Sequence, residues 1–246
     1  MPVARAAEPP AFHGLVRVPG LRSLHEMCGR PVPAEFSRSG GAPFGRVRIQ
    51  DGSRLAEAPE EVPASKFAPY WREAIPWLLE AYGRMCAFSC FRIHPAGIPT
   101  VDHMVPKSKA WTHAYEWSNY RLAQLRLNAH KADHDTVLDP FEVELGWFAI
   151  ELVFGQVVPG PATADNPALR ARVQATIDQL RLNDLAGERL RDIQAYEDGD
   201  VTLRWLSQES PFVASELARQ GRLRPPDLTA PAPPAAPPAS AGPASR

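Results

Sequence analysis

From Phe67 onward the apolar positions settle into helical spacing. Trp71, Ile75, Leu78 and Tyr82 share one face, and Pro76 places a bend or a restart within that helix. Before them, residues 1–65 are rich in Pro, Gly and Arg with weak periodicity. They read as an arm with a short strand at Val47–Ile49. After the helix, "CAFSCFRI" and "IPTVDHM" read as two short strands, and "EWSNYRLAQLRLNAHKAD" as a loop running into a helix. The stretch "DPFEVELGWFAIELVFGQVVPG" alternates and carries turn signals at Asp139-Pro140, Gly146 and Gly155, which predicts a small antiparallel meander. Asn166-Pro167 is a helix start, an N-cap followed by proline at the first helical position, with Val173, Ile177 and Leu180 on its buried face. A second helix through Leu185–Tyr196 and shorter ones to Leu223 make a helical C-terminal layer. Residues 229–246 hold six prolines and nothing apolar larger than alanine, too little to offset chain entropy, so disorder is expected there.

The expected organisation is therefore α+β: an arm at 1–65, a mixed module at 66–160, a helical region at 161–228 and a tail at 229–246. Composition narrows the class. The chain of 246 residues is 44% hydrophobic with a net charge of −1, so a polyanion-binding face has to be local. No apolar stretch approaches the roughly 20 residues that span a bilayer. "MPVARAAEPPAF" has no apolar signal-like run, and three cysteines form no disulfide framework. A cytoplasmic protein is expected, with no membrane partner.

Candidate chemistry concentrates in "VDHMVPKSKA". Adjacent residues of a strand point to opposite faces, so Asp102 and His103 can serve two different sides of one backbone. Asn119 follows in "EWSNYRL" and Asn128 in "RLNAHKAD". The order and spacing of "DHMVPKS", "WSNYRL" and "NAHK" resemble the HNH endonuclease family, also called His-Me finger or ββα-metal nucleases, over roughly residues 84–135. The resemblance implies a central ββα-metal module ahead of the meander and the helical layer. It implies a DNA-cleaving hydrolase in which His103 is the general base and Asn119 orients or braces it. Asp102 and Asn128 would hold one Mg2+ (or Mn2+), Asn128 in preference to His130, because Lys131 then falls where the family has its lysine. The physics is compatible: a histidine of pKa ~6.5 accepts a proton at neutral pH, and hard cations take carboxylate and amide oxygens.

Many members of that family also carry two CxxC pairs on a structural zinc. Here Cys86 and Cys90 are spaced CxxxC, His94 supplies at most a third ligand, and no structural Zn2+ is expected. Between Arg84 and Lys131 there are seven Lys/Arg against two acids. That imbalance marks a local nucleic-acid face, with Lys107 and Lys109 first, then Arg121 and Lys131, as phosphate contacts, and the resemblance implies double-stranded DNA as the partner. Trp111, Trp117 and Tyr120 read as core. The competing reading is a non-catalytic nucleic-acid-binding or adaptor protein built on the same scaffold.

Overall fold

The computed structural model describes residues 3–30, 33–34 and 56–228. The strand expected at Val47–Ile49 and the tail at 229–246 lie outside the described residues.

Residues 3–30 are not an arm. After a π-helical turn at His13–Arg17 they form α1 (Val18–Met27), and Phe12, Val16 and Leu24 are fully buried. Phe12 packs edge-on against Trp117 and Tyr120, both at 5.6 Å between ring centres. Pro19 and Gly20 hide this helix from a propensity reading, and each has a reason to be there. Proline is tolerated in the first turn, where no N–H is needed. A Cβ at Gly20 would lie 2.3 Å from the Tyr115 ring, so only glycine admits the close approach.

The Phe67–Tyr82 segment restarts at its proline as expected. A 3-10 turn at Tyr70–Ala74 runs into α2 (Ile75–Ala81), with Pro76 in the first turn. "CAFSCFRI" is not a strand. It contributes one isolated bridge, Met85 to Arg92, because Cys90 turns left-handed (φ 55°) and its N–H returns to the Cys86 carbonyl. The first strand is β1 (Pro99–His103). Its antiparallel partner β2 (Tyr120–Gln124) lies inside the segment expected to be loop and helix, and α3 (Leu125–Lys131) follows directly.

β3 (Phe148–Glu151) and β4 (Gln156–Pro159) form the second two-stranded sheet, a hairpin where the meander was expected. Gly155 (φ 67°) closes its turn, and a Cβ there would meet the Ala186 carbonyl at 2.5 Å. The C-terminal layer is α4 (Pro167–Gln179), α5 (Ala186–Asp198), α6 (Leu203–Glu209), α7 (Pro211–Arg219) and the short α8 (Pro225–Leu228). Asn166 caps α4 by accepting the Leu169 N–H, and Val173, Ile177 and Leu180 are buried. α7 covers an edge of β3: buried Glu216 accepts the Ile150 N–H and Gln220 donates to the Ile150 carbonyl. Both sheets and the flanking helices share one apolar core, from Phe12 to Leu217. Among the described residues no helix is long and apolar enough to cross a membrane.

Candidate active site

The β1–β2 register pairs Asp102 with Arg121 and His103 with Tyr120. Alternation then sorts β1 into two faces. Thr100 and Asp102 face α3, where Asn128 and Lys131 sit one turn apart. His103 points the other way, between two aromatic rings, Tyr120 at 5.2 Å and Trp71 at 5.0 Å, both edge-to-face. The dipeptide thus serves two sides of one strand, and both residues are deeply buried, Asp102 at 1% and His103 at 7% exposure.

His103 Nε2 lies 2.9 Å from the Ala114 carbonyl oxygen. A carbonyl can only accept, so Nε2 carries the proton and Nδ1 keeps its lone pair. The Tyr120 hydroxyl donates to the same oxygen, which fixes the acceptor in place. Asn119 does not touch the imidazole. Its side chain accepts the Val105 N–H and donates to the carbonyls of Val105 and His113, and its own carbonyl accepts the Met104 N–H. Its bonds tie Val105 and His113 together in the loop that carries Ala114, so it reaches His103 only through that loop.

On the α3 face, Asn128 Nδ2 contacts Thr100 Oγ1 at 3.1 Å and the Val101 carbonyl at 3.3 Å. The Thr100 hydroxyl already donates to Ala123, so both atoms act as acceptors and the orientation of the Asn128 amide is set. Its oxygen is the atom left for a cation. His130 points elsewhere, with Nδ1 at 3.0 Å from the Leu180 carbonyl in the C-terminal layer. Leu125 is half exposed, so the buried side of α3 runs through Leu127 and Lys131 instead.

Neither a protein-family model nor a curated protein matches this chain.

Two of the four expected phosphate contacts are interior residues. The Arg121 guanidinium is spent on Asp139 (2.8 and 2.5 Å) and on the carbonyls of Ser118 and Tyr120, and it stacks on Phe141. Lys131 is fully buried, donates to the His103 carbonyl at 2.7 Å and lies 3.2 Å from Asp102 Oδ2. Neither can reach solvent without leaving a buried acceptor behind. Lys107 and Lys109 stay near the surface. The Lys107 ammonium sits 4.3 Å from the Trp71 ring centre, and Lys109 pairs with Asp135 at 2.6 Å. Cys86 and Cys90 are buried thiols, and burial pushes the Cys86 thiol up.

Asp102 Oδ2 accepts no hydrogen bond, although Lys131 is within ion-pair distance. The ammonium neutralises the carboxylate from off the hydrogen-bond direction. A buried carboxylate oxygen that accepts no hydrogen bond and an amide oxygen on the neighbouring helix are donors of the kind a hard divalent cation takes. Among the described residues no cluster of three His, Cys, Asp or Glu side chains could hold a metal, so water and phosphate oxygens would have to fill most of its coordination.

Burial also moves both titrations. It pushes Asp102 up to about 6 against the opposing pull of Lys131, and it pushes His103 down to about 3, with the Lys107 charge adding to the fall. His103 is therefore neutral at pH 7, but in this covered state it is a much weaker base than the imidazole of pKa ~6.5 expected from the sequence, because burial disfavours its charged form. Asp102 binds its proton more tightly folded than unfolded, so its contribution to stability is full below its ordinary 3.8 and lost as pH rises to about 6. His103 has the opposite sign: its contribution is full above 6.5 and lost as pH falls toward about 3. Across the shared window the two offset. In metal-free protein, Asp102→Asn removes one of them. Its stability should fall more steeply than wild type between about pH 6 and about pH 4, by up to about 1.4 kcal/mol per pH unit. Urea unfolding across that range checks this, and parallel wild-type and variant profiles would contradict it.

Trp71 and the Ala114 carbonyl are site residues that motif reading misses. The only sequence signal for Trp71 is its place on the apolar face before Pro76. A backbone acceptor leaves no signal at all.

Proposed function

We propose that the chain is a metal-dependent HNH-type endonuclease that hydrolyses phosphodiester bonds in DNA. The observation that carries this reading is the fixed tautomer of His103. Its Nε2–H is committed to Ala114, which leaves Nδ1 as a proton acceptor at the end of a β-β-α unit whose other face presents Asp102 and Asn128. In this reading Nδ1 takes a proton from water as the water oxygen attacks phosphorus, the P–O bond to the departing sugar oxygen breaks, and that oxygen takes a proton from solvent. Asn119 keeps the imidazole aimed by holding its loop. Asp102 and Asn128 would hold Mg2+ or Mn2+, which supplies positive charge at the phosphate oxygens when bound.

Asn128→Ala is expected to abolish cleavage and Mn2+ binding, whereas His130→Ala should reduce activity only modestly, since its ring is bonded to Leu180. Mn2+ titration followed by electron paramagnetic resonance reads this without cleavage, and loss of the ion in His130→Ala alone would reverse the assignment. The two near-surface lysines give a second expectation. Replacing Lys107 and Lys109 with alanine should weaken binding equally for unrelated duplexes and lower the salt slope by roughly 1 per lost contact. An unchanged slope would remove them from the interface.

The burial of Asp102 and His103 favours a second reading, a non-catalytic nucleic-acid-binding or adaptor protein on the same scaffold. Nicking of supercoiled plasmid with and without magnesium separates the two.

A further inference from the structure

A phosphodiester needs a path to His103 Nδ1, yet His103 is 7% exposed. Something in the cover has to move. On one side stands Tyr120, 1% exposed and tied through its hydroxyl to Ala114, so that wall is fixed. On the other stands Trp71, from the Tyr70–Ala74 turn, only partly buried and leaning on Tyr115 at 6.0 Å. The Lys107 ammonium lies over the face of this ring, 4.3 Å from its centre. Among the described residues no carboxylate lies within ion-pair distance of Lys107; Asp102 acts on its charge from farther off, and the indole face is the contact it makes directly.

We propose that Trp71 and Lys107 form a clasp over the active site and that a nucleic-acid phosphate opens it. This rests on the endonuclease reading above and adds its regulation. A ring quadrupole is a weaker partner for an ammonium than a phosphate oxyanion, and a duplex concentrates phosphates at a basic surface. Lys107 exchanges the indole for phosphate, and Trp71, left with its ring contacts to Tyr115 and His103, swings off His103. The backbone of the turn need not move, because Tyr70 and Ala74 stay buried on either side. Free protein thus keeps His103 covered, and the open state gives up two ring contacts, Lys107 on Trp71 and Trp71 on His103, of which the substrate phosphate replaces the first.

The clasp can be read without cleavage. The chain has six tryptophans, so protein labelled with 5-fluorotryptophan gives six fluorine resonances, and Trp71→Phe assigns the one that matters. In EDTA, an excess of short duplex DNA should shift the Trp71 resonance and raise its water-to-deuterium-oxide isotope shift, while buried Trp117 holds still as the reference for an intact fold. Lys107→Gln should place the Trp71 resonance at the opened position with no DNA added. Diethyl pyrocarbonate should then modify His103 several-fold faster in Lys107→Gln than in wild type. A Trp71 resonance unmoved by excess duplex, or unmoved in Lys107→Gln, overturns the clasp. Plasmid nicking with Trp71 unmoved leaves the endonuclease reading standing without it. A Trp71 shift with no nicking at any magnesium concentration keeps the clasp as a phosphate-responsive cover and removes the endonuclease reading.

Discussion

His103→Ala is expected to lower magnesium-dependent DNA cleavage by roughly 10²–10⁴-fold, the usual contribution of a general base. Duplex binding should survive, because the ring is directed at Trp71, Tyr120 and the Ala114 carbonyl and not at the lysine-bearing surface. Alanine also leaves a void between two aromatic rings, which alone costs stability. His103→Gln is the control for that. Its amide nitrogen can still donate to Ala114, it fills more of the space, and it cannot take a proton from water. Both variants should be inactive, and the glutamine variant should be the better folded. Near wild-type nicking by His103→Gln would remove His103 from the chemistry.

Lys131→Met is expected to cost about 3–5 kcal/mol of folding stability at alkaline pH, because it strands a buried carboxylate without its partner. Lys131 is the cation within ion-pair distance of Asp102, and neither side chain meets solvent. The methionine also forfeits the hydrogen bond to the His103 carbonyl at the end of β1. The loss should shrink as pH falls, since Asp102 already titrates near 6 and can be neutralised by a proton once the ammonium is gone. Adding Asp102→Asn to Lys131→Met should recover much of the loss. Urea unfolding of the two single variants and the double variant over pH measures this. A cost under about 1 kcal/mol at alkaline pH, or a double variant no better than Lys131→Met, would show that the pair is not coupled.

Much of the site was legible because its signals are local. An acid and a histidine at the end of an apolar run mark the end of β1, and Asn166-Pro167 marks the start of α4, each by chemistry confined to a few residues. Three features were not legible, each for a different reason. α1 carries Pro19 and Gly20, and what requires the glycine is a tyrosine ring nearly a hundred residues away. β2 is five residues long with Arg121 and Gln124 in it, so it lacks an apolar signature. Its arginine is buried only because Asp139, from beyond α3, folds back over it. Lys131 repeats that lesson. Counting charges between Arg84 and Lys131 finds a basic excess but cannot say which charges face inward, and two of the seven hold the site together instead of facing a ligand. Placing Asn128 rather than His130 beside β1 did follow from helical phase, although half-exposed Leu125 shows that the apolar side was drawn a little off its true position.

The most direct test of the proposed activity is conversion of supercoiled plasmid by the purified chain, with magnesium and with EDTA, beside His103→Gln prepared in the same way. The account predicts magnesium-dependent appearance of nicked or linear DNA by wild type, none in EDTA and none by the variant. Binding of the plasmid without cleavage at any magnesium or manganese concentration, or equal cleavage by His103→Gln, would contradict it.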